Sequence, residues 1–320
     1  MELSGLKAVF MGTPQFAVPS LQALADAGVA VMEVITQPDR PAGRGHRPAI
    51  SPVKALALKL GLPVFQPLKI KDPEAIGRIG RAEPDVIVVV GYGQIIPRAL
   101  FDLPPLAAIN VHASLLPKYR GAAPIQWAIA RGETTTGVST MRIEARLDAG
   151  DIFLQRETAI GAEETAPELS ARLAILGADL LVETLRGLRS GQISGKKQND
   201  AEATYAPLLK KEDGRIDWRS SAREIFNRVR GFDPWPGAYT TFRGGLLHIR
   251  RARLLGDIAE PGNTPPGALV VDSGRLRAAA GQGWLELLEV QPEGKKKLLA
   301  QEFINGWQPK TGEILGDKNP

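Results

Sequence analysis

The sequence predicts an α/β fold with a doubly wound, mostly parallel sheet, followed by a smaller C-terminal β-barrel domain. Through the first two-thirds of the chain, short apolar runs alternate with amphipathic runs, which is typical of such a sheet. In the last third of the chain, short strand patterns follow a polar stretch. We therefore expect the α/β domain at 1–190, a linker at 191–209 and a small β-barrel at 210–320, for which a β-sandwich is the alternative.

The predicted strands of the α/β domain are short apolar runs, and helix patterns lie between the early ones. Ser51-Pro52 begins one helix and Asp72-Pro73 begins another, because a capping side chain followed by proline suits a first helical turn. In sheets of this kind, ligands bind beyond the carboxyl ends of the strands. The predicted strands are Lys7–Gly12, Ala30–Gln37, Pro63–Gln66, Asp85–Val90, Ala107–Ala113, Gly137–Ile143 and Ile152–Glu157.

The last helix of this domain is predicted from a capping-box pattern at Thr165–Glu168, which precedes leucines on one helical face. The polar, aperiodic stretch Gly191–Asp200 then indicates a linker or an exposed loop. Gly244-Gly245 is a candidate hairpin turn between two strands of the C-terminal domain. The strands predicted there are Ala238–Phe242, Leu246–Leu255, Gly267–Val271 and Trp284–Val290.

The composition suits a globular protein, with 43% hydrophobic and 23% charged residues among 320. No stretch approaches the roughly 20 apolar residues of a membrane span, and the N-terminus lacks the pattern of a secretion signal. Because the chain contains no cysteine, disulfides, thiolate nucleophiles and cysteine zinc sites are excluded. We expect a cytoplasmic protein without membrane contact.

The net charge of +5 lies mostly in the C-terminal third. Residues 205–320 contain 18 Lys and Arg against 14 Asp and Glu, while residues 1–204 contain 22 against 21. A mildly basic surface suits an anionic partner such as a nucleic acid, and solubility alone also accounts for it. The charge therefore leaves both interpretations open.

Two common kinds of site are not expected. The loop after the first strand, Met11–Gln15, has neither a Gly-x-Gly-x-x-Gly fingerprint nor a phosphate-binding loop, which argues against nicotinamide chemistry and ATP hydrolysis. The three histidines, His46, His112 and His248, have no acidic or histidine neighbour at metal-ligand spacing. We therefore expect no metal site.

Asn110 and His112 are the first candidates for chemistry, because they interrupt an apolar strand near its end. Residues two apart on a strand project from the same face, so both side chains can converge on one substrate atom. An amide donates hydrogen bonds and an imidazole also moves protons, a combination that suits acyl transfer to an amine. The alternative is a structural core histidine beside an asparagine that caps a loop.

Asp148 is the second candidate. It lies in Leu147–Asp151, between two predicted strands, and a carboxylate there can orient His112 and stabilise its charge. The alternative is ordinary turn chemistry, for which Asp-Ala-Gly-Asp is well suited.

Basic segments are the third feature. Gln37–Arg47 contains Arg40 and Arg44, and its glycines and prolines disfavour regular structure, so it predicts an irregular arm that grips phosphates. Lys210 and Lys211 belong to a scattered basic set that suits a nucleic-acid track. Solvated surface residues are the alternative for both segments.

Several stretches together resemble the methionyl-tRNA formyltransferase family, and the resemblance covers nearly the whole chain. The Asn-x-His pattern with a distant aspartate is shared with other folate-dependent formyltransferases, whereas the arginine-rich loop and the C-terminal domain point to a tRNA substrate. The matching runs are Met11–Val18, Thr36–Gly45, Asn110–Pro117, Lys118–Gln126, Leu147–Ile152 and Phe232–Gly237.

The resemblance implies a formyltransferase-type fold, an OB-like, tRNA-binding barrel at 210–320 and a role for each matching position. The catalytic residues would be Asn110, His112 and Asp148. The residues against the folate would be Ser114, Leu115, Leu116 and Pro117. The contacts to tRNA would include Arg44, Arg40, Lys210 and Lys211.

The reaction implied by this resemblance is transfer of the formyl group of 10-formyltetrahydrofolate to the α-amino group of methionyl-initiator-tRNA. The amine would attack directly, without a covalent enzyme intermediate, and we expect a monomer. A formyltransferase for a sugar nucleotide or glycinamide ribonucleotide would share the three catalytic residues without needing the basic arm and the appended β domain. A non-catalytic RNA-binding protein would keep the basic surfaces and dispense with those residues.

Overall fold

The computed structural model describes residues 2–42, 47–256 and 261–316. The chain divides into two compact units that interleave along the sequence. The first unit consists of Met1–Gly121, Thr135–Ala159 and Ser170–Ala206. The second consists of Ala122–Thr134, Ile160–Leu169 and Pro207–Pro320.

The strands are β1 (Lys7–Gly12), β2 (Ala30–Ile35), β3 (Arg40–Ala42), β4 (Arg47–Ala49), β5 (Val64–Phe65), β6 (Val86–Val90), β7 (Ala107–His112), β8 (Arg120–Gly121), β9 (Thr135–Arg142), β10 (Ile152–Ala159), β11 (Tyr205–Ala206), β12 (Ala238–Phe242), β13 (Gly245–Leu255), β14 (Leu269–Asp272), β15 (Arg275–Ala279), β16 (Trp284–Pro292) and β17 (Leu298–Leu299). The α-helices are α1 (Val18–Asp26), α2 (Pro52–Lys59), α3 (Pro73–Arg81), α4 (Arg98–Phe101), α5 (Pro124–Ala130), α6 (Ala166–Arg189), α7 (Ala222–Gly231) and α8 (Ala300–Trp307). Short 3-10 helices occur at Gln15–Ala17, Asp200–Glu202 and Lys211–Gly214.

The main sheet of the first unit has the strand order β10-β9-β7-β6-β1-β2-β5. The pairs from β7 to β5 are parallel, and β9 and β10 add antiparallel pairs at one edge. The chain builds outward from β1 through β2 to β5, then returns to build the other side through β6 and β7. This reversal at β1 is the doubly wound topology, so the predicted fold class is confirmed.

The helix starts follow the local signals in the sequence. The Ser51 hydroxyl accepts a hydrogen bond from the Lys54 amide at 3.1 Å and so caps α2. Asp72 precedes α3 with Pro73 in its first turn, but its side chain makes no capping hydrogen bond, so the side-chain cap predicted there is absent. The Glu168 carboxylate accepts from the backbone amide of Thr165 at 2.9 Å, where α6 begins. None of the helices in the described ranges combines the length and apolar content that crossing a bilayer requires.

The arginine-rich arm departs from the prediction of irregular structure. β3 and β4 form a short antiparallel ribbon in which Arg40 pairs with Ala49 and Pro41 with Pro48. Proline is tolerated there because both strands of a two-stranded ribbon are edge strands, so no inner ladder bond is lost. Residues 43–46, which include Arg44, lie outside the described residues.

The second unit contains an antiparallel sheet with the order β12-β13-β16-β15-β14, to which β17 adds beside β16. A segment near the C-terminus reaches both edges of this sheet. The Leu315 amide donates to the Gly267 carbonyl beside β14 at 2.8 Å, and the Gly316 amide donates to Thr241 of β12 at 2.9 Å. These bonds close the sheet into a barrel, as predicted for the C-terminal domain.

Several details of the second unit differ from the sequence analysis, among them β15 and α8, which were not predicted. The turn between β12 and β13 consists of Arg243 and Gly244, with φ values of +51° and +80°, and Gly245 already pairs with Phe242. Positive φ at both central residues is typical of the type I′ turn that suits two-residue hairpins. The structure also contains α7, which was not predicted, although its Ser221 and Glu224 form a capping box.

Gly137 in β9 provides a test of the packing beneath the loop that follows β7. A Cβ atom at this position would lie 2.3 Å from the Arg156 carbonyl oxygen and 2.6 Å from Leu115 Cδ2. We expect Gly137→Ala to lower the free energy of unfolding by about 1–3 kcal/mol, measured by urea denaturation, because the backbone must shift.

The matched control is Gly80→Ala in α3, where a Cβ atom would meet nothing within 4 Å. Alanine favours helix over glycine by about 0.5–1 kcal/mol, so we expect this variant to be at least as stable as the wild type. Equal stability of the two variants would contradict the close packing at Gly137.

Candidate active site

Asn110 and His112 lie at the carboxyl end of β7, an inner strand of the main sheet. Asn110 pairs with Val89 of β6 and with Met141 of β9. Val111 projects from the opposite face toward α6, where a Cβ atom on Gly177 would lie 2.9 Å from its Cγ1 atom. Because neighbouring residues on a strand point to opposite faces, Asn110 and His112 share the face away from α6.

The imidazole of His112 is buried, and a backbone carbonyl fixes its orientation. Nε2 lies 2.9 Å from the carbonyl oxygen of Tyr119. Since a carbonyl only accepts hydrogen bonds, Nε2 carries the hydrogen, and Nδ1 is the nitrogen that can take up or release a proton. Within the described residues, no group makes a hydrogen bond to the side-chain amide of Asn110, which leaves this amide available to a ligand.

Asp148 is brought to the same place from the loop between β9 and β10. Its Oδ2 atom lies 3.8 Å from Nδ1 of His112, a distance that allows charge attraction but exceeds a hydrogen bond. The same oxygen accepts a hydrogen bond from the Gly121 amide at 2.8 Å. The carboxylate is therefore held in position to stabilise a protonated imidazole. Across the residues that the structure describes, no three acidic or histidine side chains are arranged to hold a metal ion.

The buried hydroxyl of Ser139, on β9, holds the loop Ser114–Pro117 in place by hydrogen bonds to its main chain. This hydroxyl donates to the Ser114 carbonyl at 2.7 Å and accepts from the Leu116 amide at 3.1 Å. Gln155 donates to the Leu116 carbonyl at 2.9 Å. Ser114 and Leu116 are buried, whereas Leu115 and Pro117 keep partly exposed surface.

The residues that hold these groups in place were not predicted from the sequence. Tyr119 orients His112, and Gly121 holds Asp148, although both belong to a run already singled out for its resemblance. Ser139 and Gln155 lie on β9 and β10, and no local pattern connects them with the loop after β7. Gly121 also has φ +120°, and a Cβ atom there would lie 2.6 Å from the Ala206 carbonyl oxygen, so the close pairing of β8 with β11 requires glycine.

The basic candidates are distributed over both units. Lys210 and Lys211 are exposed residues of the second unit, at the start of a 3-10 helix. Burial, and then the positive charges of Arg250 and Lys211, lower the pKa of the nearby His248. Only the backbone of Arg40 is described, and Arg44 lies outside the described residues, so neither side chain is placed relative to Asn110 and His112.

Comparison with known proteins identifies the family of this chain. The formyl transferase family model matches residues 6–185, and the model of the formyl transferase C-terminal domain matches residues 208–308. Methionyl-tRNA formyltransferase from Solibacter usitatus is 57% identical over 312 residues, which cover 98% of this chain and 99% of the relative. The protein of the same name from Koribacter versatilis is 56% identical over 96% of this chain and 98% of the relative.

Solved structures share the fold at low identity. WlaRD, a sugar 3N-formyltransferase, superimposes with a TM-score of 0.66 and 17% identity over 91% of this chain and 99% of its own. HypX from Aquifex aeolicus in complex with tetrahydrofolic acid superimposes with a TM-score of 0.64 and 16% identity over 97% of this chain. The matched region is about half of the HypX chain. These two likenesses show the fold alone. The family models and the close relatives show that the chain belongs to the methionyl-tRNA formyltransferase family.

Proposed function

We propose that this chain transfers the formyl group of 10-formyltetrahydrofolate to the α-amino group of methionine on initiator tRNA. The product is N-formylmethionyl-tRNA for translation initiation. The observation that carries the proposal is the convergence of Asn110, His112 and Asp148 at the carboxyl end of β7. An amide donor, an imidazole and a carboxylate supply the hydrogen bonding and proton movement that acyl transfer to an amine requires.

The reaction begins when the amine nitrogen attacks the formyl carbon and forms a C–N bond. The formyl oxygen becomes an oxyanion, to which Asn110 donates a hydrogen bond from Nδ2. The bond from carbon to N10 of the folate then breaks, and the formyl group remains on the methionine. The attacking amine loses one proton and the departing N10 gains one, so the enzyme ends with its original number of protons.

His112 acts through Nδ1 in this mechanism, because Nε2 is occupied by the Tyr119 carbonyl. In its protonated form, Nδ1 donates a second hydrogen bond to the oxyanion. Asp148, 3.8 Å away, stabilises the imidazolium and assists the movement of the proton from the amine to N10. The main-chain bonds to Tyr119 and Gly121 keep both groups in position before substrate binds.

The substrates are assigned to the surfaces that the sequence suggested. The loop Ser114–Pro117 contacts the folate, since it begins two residues after His112 and since Leu115 and Pro117 offer partly exposed apolar surface. The tRNA contacts are assigned to Arg40, Arg44, Lys210 and Lys211. Residues 191–209 form the linker, and the OB-like barrel of residues 210–320 binds the tRNA backbone. We further propose a monomer, because one chain supplies all three catalytic side chains. We also propose a cytoplasmic location, because the product of the proposed reaction is used in translation initiation.

Asn110→Ala tests the catalytic assignment. Loss of one oxyanion donor typically costs about 100- to 1,000-fold in rate, so we expect kcat for formylation of methionyl-initiator-tRNA to fall by this factor. The control is Asn305→Ala on the exposed side of α8, for which we expect a wild-type rate. A rate for Asn110→Ala within about threefold of the wild type would remove Asn110 from the mechanism.

Arg44→Ala tests the basic arm separately from the chemistry. We expect the KM for methionyl-tRNA to rise about tenfold, since a lost phosphate contact to arginine removes a charge-assisted hydrogen bond, while folate binding measured by fluorescence titration is unchanged. Arg81→Ala, at an exposed position of α3, is the matched control. Unchanged kinetics with respect to tRNA would exclude the arm from tRNA binding.

A further inference from the structure

Gln198 lies against the loop that carries Asp148 and uses both ends of its side-chain amide. Its Nε2 donates to the carbonyl oxygens of Asp148 and Gly150, each at 2.8 Å. Its Oε1 accepts from Nε of Arg120 at 3.1 Å and from Nη2 at 2.7 Å. Because arginine only donates and carbonyls only accept, a single orientation of the amide satisfies all four contacts.

Arg120, which binds the side-chain amide of Gln198, is itself held in place by burial and an ion pair. Its side chain is almost completely buried, and a buried guanidinium requires compensating partners. Asp200 supplies one, with Oδ1 2.9 Å from Nη2 of Arg120, and its other oxygen lies 3.0 Å from Arg146. Hydrogen bonds from Arg120 and then Arg146 lower the pKa of the Asp200 carboxyl. The guanidinium is thus neutralised by Asp200 while it fixes Gln198.

The loop that Gln198 binds has an unusual backbone. Asp148 has φ +48°, in the left-handed region that non-glycine residues rarely adopt. Such conformations persist where the surrounding structure holds them, and the two bonds from Gln198 hold the carbonyls of Asp148 and Gly150 on either side of Ala149. The same conformation directs the Asp148 carboxylate to the Gly121 amide and toward His112.

The segment that carries Gln198 is itself anchored to the first unit. Lys196 and Ile152 exchange two backbone hydrogen bonds of 2.8 Å. A Cβ atom on Gly195 would lie 2.6 Å from Cβ of Asp151, so the two backbones are in close contact there. On the other side of Gln198, β11 pairs with β8. Gln198 therefore projects from a segment whose backbone is hydrogen-bonded to the first unit on both sides of it.

We infer that Gln198 is a positioning residue for formyl transfer, which acts by holding the Asp148 loop so that the carboxylate faces His112. The inference rests on the role proposed above for Asp148. Gln198 contacts the main chain of the loop and none of the reacting atoms. Arg120 completes the arrangement by fixing the direction of the amide.

The direct test is Gln198→Glu in the full-length chain. Glutamate keeps the size of the side chain and its pairing with Arg120, but it loses both donated bonds and places a carboxylate oxygen against two carbonyls. Displacement of a catalytic group by about 1 Å costs up to about 100-fold in rate, and we expect kcat to fall at least about tenfold. The KM for methionyl-tRNA and for 10-formyltetrahydrofolate should stay within about twofold. Gln192→Glu, at an exposed position, is the matched control and should be unchanged.

A double-mutant cycle separates positioning from a general structural effect. If Gln198 acts through Asp148, then Asp148→Asn combined with Gln198→Glu is no slower than Asp148→Asn alone, within about twofold. Losses that multiply, or a wild-type kcat for Gln198→Glu, would overturn the inference while leaving the role of Asp148 intact. A wild-type rate for Asp148→Asn would overturn both the inference and the proposed role of Asp148.

Stability is measured for every variant of the cycle by thermal unfolding. If Gln198→Glu does not yield folded protein, Gln198→Met takes its place, since it has a similar length without charge or donors. The same non-additivity with Asp148→Asn is then expected, and multiplying losses would again overturn the inference.

Discussion

The hydrogen bond from the Gly121 amide to the Asp148 carboxylate joins the two loops on which the candidate active site depends. One loop follows β7 and carries Tyr119, whose carbonyl orients the imidazole of His112. The other leads from β9 to β10 and carries Asp148. Without this bond, the carboxylate would lose its fixed position 3.8 Å from Nδ1 of His112. The doubly wound sheet provides the rigid base, because β7 lies between β6 and β9 and cannot shift without breaking both ladders.

The sequence predicted what depends on local patterns. Alternating apolar runs, with capping residues such as Ser51, gave the strand and helix order of the first unit. The two-residue spacing of Asn110 and His112 placed them on one face, since the side-chain period of a strand is two. The capping box of Ser221 and Glu224 is an equally local signal, from which the start of α7 could also have been predicted.

The sequence did not predict the contacts between residues that lie far apart along the chain. Gln198 lies in 191–209, a segment predicted as a linker from its polar, aperiodic composition, yet its amide contacts residues about 50 and 78 positions earlier in the chain. Ser139 supports Leu116 across 23 positions without any shared motif. The ribbon of β3 and β4 was hidden because proline and glycine usually mark irregular loops. Such contacts arise only when the topology brings strand ends together.

In the proposed mechanism, the side chains at the carboxyl end of β7 polarise the formyl group of the donor. The most direct measurement is a crystal structure of the full-length chain with a non-reactive 10-formyl folate analogue. We expect the formyl oxygen at about 3 Å from Nδ2 of Asn110, on the side of the imidazole ring that carries Nδ1 of His112. A formyl oxygen directed to solvent, without a hydrogen bond to either residue, would contradict it.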